Sequence, residues 1–258
     1  MSTAPRPWRP APFLAGSLGL HGAGAACLAA VPSAWPAVAA ALVADHLAIV
    51  AAGLLPRCAL LGPNLRRLPQ GGEVALTFDD GPDPSITPRV LDLLAGAGAR
   101  ATFFVIGRKG AAHRELLREV VRRGHTLANH TWSHPPAFFF LGPRALRDEI
   151  ERTQDLLEEA AGAPPAWFRA PAGIRSPLLE PMLARTGLHL ASWTRRGFDA
   201  LARDPALVAR RLTANLTGGD VLLLHDGGAP VVLEALPRVL EAVASAGLRA
   251  VPLPEAGA

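Results

Sequence analysis

The chain of 258 residues is long enough for one substantial domain with a full core and a small appendage, and too short for two large enzymatic domains. Hydrophobic residues make up 50% of the chain, and the mean hydropathy of +0.23 reflects an apolar excess near the N-terminus. The formal net charge is +4, but basic and acidic residues alternate along predicted helical segments such as 144–159. This alternation is typical of solvated helix faces, so we expect no nucleic-acid partner, and no protein partner is evident.

Two apolar runs come first in the chain, at residues 11–31 and 35–55. Each is near the roughly 20 residues that a helix needs to cross a bilayer, and Pro32 and Pro36 mark a tight connection between them. We therefore predict a two-helix transmembrane hairpin within residues 1–61, in a bacterial-type inner membrane. A cleaved secretory signal is the alternative for the first run, although signal cores are usually shorter, and a buried helix is the alternative for the second.

Basic residues flank the outer ends of this hairpin, and its connection has none. By the positive-inside rule both ends face the cytoplasm, which favours a cytoplasmic catalytic domain, while the small count leaves the opposite side open. The basic residues are Arg6, Arg9, Arg57, Arg66 and Arg67.

The second apolar run carries Asp45 and His46 near its centre, where ionisable side chains are costly. A polar contact within the hairpin and a role in handling a lipid substrate are the two interpretations. Cys27 and Cys58 lie in and just beyond the apolar runs, a placement that supports neither a disulfide framework nor a thiolate metal site.

Short strand-type runs alternate with helical segments from residue 73 onward, after a Gly-, Pro- and Arg-containing linker at 62–72. Proline marks the first turn of three helices, at Pro88, Pro143 and Pro205. Seven strands alternating with six helices predict a parallel α/β sheet or barrel over residues 73–258. The predicted strands are residues 73–78, 101–106, 126–129, 167–169, 188–193, 220–224 and 248–251.

Polar side chains follow several predicted strand ends, where parallel α/β folds gather functional groups. Asp79 and Asp80 end the first strand, and His130 and His134 follow the third. Two imidazoles and one carboxylate suit zinc or another borderline divalent ion, which leaves the other carboxylate free to act as a base. A capping Asp pair before a Gly-Pro turn is the alternative for Asp79 and Asp80.

Five segments in this order closely resemble the five motifs of the polysaccharide deacetylase family (NodB homology domain, carbohydrate esterase family 4). The resemblance covers about residues 68–253 and leaves the hairpin outside. The segments are Thr77-Phe78-Asp79-Asp80-Gly81, His130-Thr131-Trp132-Ser133-His134, Arg169-Ala170-Pro171-Ala172-Gly173, Trp193 with Asp199, and Leu222-Leu223-Leu224-His225-Asp226.

This resemblance implies a distorted (β/α) barrel with a shallow metal groove, and hydrolysis of an N-acyl group, expected to be acetyl, from an amino sugar in a glycan or glycolipid. It implies that a divalent metal, expected to be zinc, is held by Asp80, His130 and His134. Asp79 would be the general base.

The remaining catalytic roles are also implied by the resemblance. Arg169 would orient Asp79, His225 would be the general acid, and Asp199 would orient His225. The backbone N–H of Ala172 would stabilise the oxyanion.

Substrate contacts depart from the usual pattern of the family. The third motif has alanine where an aromatic is frequent, and the chain has no tyrosine, so sugar stacking would fall to Trp132, Trp167 or Phe198. The fourth motif is loose, because no tryptophan follows Asp199. The residues expected to bind substrate are Trp132, Trp167, Ala172, Trp193, Phe198 and Leu223.

Other functions remain open at this point. A deformylase of a lipid-linked amino sugar would suit the hairpin, and a non-catalytic, membrane-bound glycan-binding protein would use the groove without turnover. The presence of both Asp79 and His225 argues against a mere binder. A two-histidine, one-carboxylate iron oxygenase is the third class, and the distant upstream aspartate argues against it.

Overall fold

A computed structural model describes residues 5–69 and 71–255. Two helices precede an α/β domain in which strands and helices alternate. The helices are α1 Pro12–Ala30, α2 Trp35–Leu54, α3 Thr87–Gly96, α4 Gly107–Ala112, α5 Arg114–Arg122, α6 Pro143–Ala161, α7 Leu179–Arg185, α8 Pro205–Thr213 and α9 Val232–Ser245. The strands are β1 Glu73–Gly81, β2 Thr102–Val105, β3 Thr126–Asn129, β4 Trp167–Phe168, β5 His189–Leu190, β6 Arg195–Arg196, β7 Val221–His225 and β8 Arg249–Val251.

All eight strands belong to one curled parallel sheet, which confirms the predicted α/β barrel. The order is β5-β4-β3-β2-β1-β7-β6, and β8 pairs with the start of β1. Because β1 is central, its carboxyl end lies between the ends of β2 and β7. That end is where Asp79 and Asp80 were expected to sit.

Alternating residues of the strands face two different cores, since successive side chains of a strand point to opposite sides. On β7, Leu222 and Leu224 pack under the outer helices, whereas Val221 and Leu223 point into the interior of the curled sheet. The same interior contains Phe104 of β2. Functional groups on the interior side therefore rest on a packed apolar floor.

The two apolar runs form α1 and α2, which pair as a hairpin. Both are long and apolar enough to cross a membrane, with mean hydropathies of 1.4 and 2.0. Residues 62–72, expected to form a linker, bond to the barrel over part of their length. Leu65 pairs with Ala191 beyond β5, and Arg67 pairs with Asp220 before β7. The segment therefore crosses the gap between the two edges of the curled sheet, where β5 and β6 do not pair with each other.

The strand predicted at 188–193 was too long. The regular strand is restricted to His189–Leu190, and a separate strand, Arg195–Arg196, pairs with β7. The chain turns between them because Trp193 points into the interior core while Thr194 bonds to Val221 of β7. β6 was not predicted, because two adjacent arginines lack the apolar pattern of a buried strand.

Candidate active site

A bulge at the end of β1 brings two consecutive carboxylates to the same side of the sheet. Asp79 pairs in register with Phe104, but Val105 pairs with Gly81, so Asp80 is the extra residue. Asp80 takes a positive φ of 69°. Bulges re-aim side chains in this way, and here the bulge turns Asp80 toward the histidines beside Asp79.

The two histidines are presented by a tight loop after β3. The loop residues Thr131 and His134 both have positive φ, at 67° and 52°. The side chain of Asn129 accepts a hydrogen bond from the Thr131 N–H, and the Glu149 carboxylate of α6 accepts bonds from the N–H and hydroxyl of Ser133. These bonds hold the loop so that both imidazoles face Asp80.

Asp80, His130 and His134 converge on one point. Oδ1 of Asp80 lies 3.3 Å from Nε2 of His130 and 3.4 Å from Nε2 of His134. His130 Nδ1 lies 2.8 Å from the Arg169 carbonyl, which can only accept, so Nδ1 carries a proton and Nε2 is the ring nitrogen directed at the carboxylate. Asp80 Oδ1 is buried without a hydrogen-bond donor, and such a set of converging lone pairs fits a divalent cation.

Electrostatic interactions within this cluster shift the pKa of all three side chains. Burial acts to lower the pKa of His130, but the carboxylates of Asp79 and Asp80 outweigh it and raise the pKa, so a bound cation would have to displace a proton from this ring. Burial acts to raise the pKa of Asp80, but the imidazoles of His130 and His134 outweigh it and hold the pKa below its ordinary value. Burial and the neighbouring His130 lower the pKa of His134. An anionic carboxylate beside a neutral His134 is the protonation state that ligates a metal.

Asp79 is locked by a buried arginine. Nη1 of Arg169 donates to Asp79 Oδ1 at 2.6 Å, and the Arg169 side chain also donates to Thr77 and to the Ala191 and Ser192 carbonyls. Arg169 is 1% exposed, so its orientation is fixed. Asp79 Oδ2 points toward the cluster and lies 3.9 Å from His130 Nε2.

His225 lies on the opposite flank, because it pairs in register with Asp79 across β1 and β7. Asp199 accepts from its Nδ1 at 2.9 Å and from its backbone N–H at 2.7 Å. Burial lowers the pKa of His225, but the carboxylates of Asp199, Asp79 and Asp80 outweigh it and raise the pKa overall. The imidazolium form of His225 is therefore stabilised beside the cluster, with its Nδ1–H held by Asp199.

The residues expected to bind substrate fall into two groups. Ala172 and Phe198 are exposed at the rim, Ala172 with a φ of 53° and Phe198 with 45% of its surface accessible. Trp193 lies just below them in the interior core, and Leu223 lies in the same core two residues before His225 on one strand face.

The other two tryptophans do not reach the rim. Trp167 precedes Arg169 by two residues on the interior face, so it lies one layer deeper, and its Nε1 donates to the Pro254 carbonyl. Trp132 is covered by the Arg152 guanidinium, 4.0 Å from its ring centroid. Stacking of these two side chains on sugar stays a prediction.

Two polar residues near the cluster were not singled out by sequence reasoning. Lys109 Nζ donates to the Asp80 carbonyl at 2.8 Å and so supports the bulge. Asp226 is buried, accepts from the Thr87 hydroxyl at 2.6 Å, and has a pKa raised by burial to about 7. Its position directly after His225 in the fifth motif was the available signal.

Gly81 is required where β1 meets Asp226. A Cβ at position 81 would lie 2.3 Å and 2.4 Å from the two Asp226 carboxylate oxygens. We expect Gly81→Ala to lower the free energy of unfolding by about 3 kcal/mol, the upper range for overpacking, and to reduce activity because Asp80 is adjacent. Thermal unfolding checks this, with Gly96→Ala as control, since its Cβ meets nothing within 4 Å; equal stability of both variants would contradict the prediction.

The fold and these side chains define an α/β-barrel hydrolase. The family model described as polysaccharide deacetylase matches residues 67–191. The chain is 37% identical to a chitooligosaccharide deacetylase of Sinorhizobium fredii, over 64% of this chain and 79% of the relative. It is 30% identical to a peptidoglycan-N-acetylglucosamine deacetylase of Bacillus cereus, over 70% of this chain and 67% of the relative.

Solved structures of similar fold also include a deacetylase and a carbohydrate esterase. The Bc1960 peptidoglycan N-acetylglucosamine deacetylase superposes with a TM-score of 0.71 and 28% identity, over 74% of this chain and 91% of that one. A family 4 carbohydrate esterase from Streptomyces lividans in complex with acetate has a TM-score of 0.65 and 35% identity, over 70% and 93%. The chain belongs to the polysaccharide deacetylase family, carbohydrate esterase family 4. It is accordingly a hydrolase of amide C–N bonds.

Proposed function

We propose that this protein removes an N-acetyl group from an amino sugar of a glycan or lipid-linked saccharide. The observation that carries the proposal is the convergence of Asp80, His130 and His134 between a locked carboxylate, Asp79, and a paired imidazole, His225. A base and an acid on opposite flanks of one ligand cluster are what amide hydrolysis needs.

The side chains divide the reaction between them. Asp79, held by Arg169, accepts a proton from the attacking water, and His225, held by Asp199, donates a proton to the departing amine. The Ala172 N–H at the rim is the proposed donor to the developing oxyanion. Trp193, Phe198 and Leu223 are proposed to line the acyl and sugar subsites.

Asp80, His130 and His134 would hold the metal ion. A bound divalent cation supplies Lewis acidity and lowers the pKa of a water molecule. Zinc is proposed because two imidazoles and one carboxylate form a typical zinc ligand set. We expect prolonged dialysis against a chelator to abolish activity and added Zn²⁺ to restore it; activity that survives metal removal would contradict this assignment.

A lipid-linked substrate is supported by where the hairpin meets the barrel. The Gly53 carbonyl at the end of α2 accepts from the Arg175 N–H at 3.0 Å, and Arg57 donates to the Thr194 carbonyl at 3.3 Å. A Cβ at Gly173 would lie 2.6 Å from both Pro56 and Trp193. The end of α2 thus contacts the two loops, 171–175 and 193–199, that carry Ala172 and Asp199.

If the hairpin spans a membrane, this contact brings the groove close to the bilayer surface. Exposed apolar side chains lie next to this contact: Leu55 follows α2 and is 59% accessible, and Phe140, 83% accessible, has its ring 5.1 Å from that of Phe139, which lies against Gly53. A substrate anchored by a lipid would reach the groove from that surface. The same placement suits N-deformylation of a lipid-linked amino sugar, and we keep this as the second candidate.

Measuring whether acetate or formate is released, and from which substrate, distinguishes the two candidate functions. The full chain in detergent would be assayed for released acetate and formate on N-acetylglucosamine oligomers, peptidoglycan fragments and polyprenyl-phosphate-linked N-acetyl and N-formyl amino sugars. We expect acetate release that disappears in His130→Ala and persists in His113→Ala, a histidine outside the cluster. Acid release that survives His130→Ala, or none from any probe, would contradict the proposed function.

Action on a lipid-linked substrate at the membrane surface is tested separately. We expect Phe140→Asp to lower kcat/KM on a lipid-linked probe in liposomes about tenfold, because the charge opposes contact with the bilayer, while hydrolysis of soluble oligomers is unchanged. Equal effects on both probes would contradict a membrane-surface substrate. A C-terminal reporter fusion tests the proposed cytoplasmic side.

A further inference from the structure

The hairpin carries a second cluster of metal-ligating side chains, on helices that do not contribute to the groove. A ring nitrogen of His21, a ring nitrogen of His46 and a carboxylate oxygen of Asp45 lie within 4.8 Å of one another. The two imidazoles meet edge to face with ring centroids 5.2 Å apart. His21 belongs to α1 and the other two to α2, so the pairing of the helices assembles the cluster.

Each of the three side chains is oriented by a further hydrogen bond. His21 Nδ1 lies 2.8 Å from the Ser17 carbonyl, and His46 Nδ1 lies 2.7 Å from the Leu42 carbonyl. A carbonyl can only accept, so both ring protons lie on Nδ1 and both Nε2 atoms keep their lone pairs. The Ser17 hydroxyl donates to Asp45 Oδ2 at 2.6 Å, which leaves Oδ1 available. Metal-ligating histidines are oriented in the same manner.

The position of the cluster along the helices makes a cation favourable. His21 is the middle residue of the 19-residue α1, and Asp45 is the eleventh of the 20 residues of α2. In a membrane-spanning hairpin these side chains lie about 15 Å from either end, near the bilayer centre, where an uncompensated carboxylate is costly. A divalent cation would pair with that carboxylate and bind all three side chains at once, and an anionic ligand in an open coordination position would bring the net charge of the site to zero.

We propose that the hairpin binds a divalent transition-metal ion of the zinc class through His21 Nε2, His46 Nε2 and Asp45 Oδ1. Two nitrogens and one oxygen match the preference of such ions, and three protein ligands leave at least one coordination position open. The site is separate from the Asp80, His130 and His134 cluster. Metal binding at this hairpin site does not depend on the proposed deacetylase activity.

Metal stoichiometry tests the proposal. The full chain in detergent would be stripped with a chelator, re-equilibrated with buffered Zn²⁺ and analysed for zinc per chain by mass spectrometry. We expect two ions in the wild type and one in a groove variant, Asp80→Asn with His130→Ala and His134→Ala. Adding His21→Gln and His46→Gln to that variant should remove the remaining ion, whereas His113→Gln should not.

A spectroscopic arm reports on the hairpin without any enzymatic activity. In the groove variant, Co²⁺ bound to the hairpin should give visible absorption bands that disappear with His21→Gln. Ser17→Ala keeps all three ligands but frees Asp45, so we expect metal affinity to fall about tenfold with helix content unchanged by circular dichroism. The proposal would be overturned if the groove variant bound no ion, or if its metal content and affinity were unchanged by substitution of His21, His46 and Ser17.

Discussion

Asp79→Asn should lower kcat for deacetylation about 10³-fold while leaving KM nearly unchanged, because the amide cannot accept the proton that the attacking water must lose. The side-chain carbonyl of the introduced asparagine can still accept from Arg169 Nη1, so the local geometry is retained. The negative charge that compensates buried Arg169 is lost, and we expect a lower melting temperature as a second effect. Steady-state kinetics on an N-acetylglucosamine oligomer checks the first effect, and thermal unfolding checks the second.

The control for this variant is Asp155→Asn on the exposed face of α6, which removes an exposed carboxylate that has no proposed role in catalysis or metal binding. Assays are run well below the melting temperature of both variants, and zinc per chain is compared with that of the wild type, because loss of the proposed groove ion would lower it by one. An Asp79→Asn protein that is folded, loaded with metal and within tenfold of wild-type kcat would contradict the role of Asp79 as base.

The alternation of strands and helices was predictable from the sequence, because buried parallel strands are short apolar runs and Pro88, Pro143 and Pro205 mark helix starts. The sheet order was not, since it depends on which strands pair over long separations. β6 escaped prediction for a related reason: Arg195 and Arg196 are stabilised by pairing with β7, an interaction that leaves no apolar pattern in the sequence.

The site was predictable in composition and not in geometry. Strand alternation would turn Asp79 and Asp80 to opposite sides, and only the bulge, supported by Lys109 and by the absence of a side chain at Gly81, brings both to one cluster. Residue type alone suggested Trp132 and Trp167 for sugar stacking. Their surroundings, the Arg152 guanidinium over Trp132 and the interior core around Trp167, follow from the loop and from strand register and were not predictable from residue type.

The apolar pattern of the hairpin predicted its two helices but not which side chains meet between them. Hydropathy predicted both helices and drew attention to Asp45 and His46, but His21 lies 24 residues before Asp45, and only the pairing of α1 with α2 brings it to them. The docking of Gly53 against Arg175 was likewise invisible, because it relies on backbone atoms that every residue carries.

Asp199→Asn should move the alkaline limb of the kcat–pH profile to lower pH by about 1–2 units. His225 has a raised pKa because the Asp199 carboxylate outweighs the opposing effect of burial, so the imidazolium needed as the acid persists to higher pH than an ordinary histidine allows. Removing the charge lowers the His225 pKa. Activity should then be lost as the pH rises through a lower value, with kcat at neutral pH falling about 10²-fold.

The hydrogen bonds of this pair strengthen the prediction. Asp199 accepts from both the Nδ1–H and the backbone N–H of His225, whereas an asparagine has one accepting oxygen. If that oxygen faces the backbone N–H, the amide NH₂ donates to Nδ1 and stabilises the neutral ring protonated on Nε2, which lowers the pKa further. Full pH profiles of wild type, Asp199→Asn and the Asp155→Asn control measure the shift. An unchanged alkaline limb in Asp199→Asn would mean that His225 is not the titrating acid.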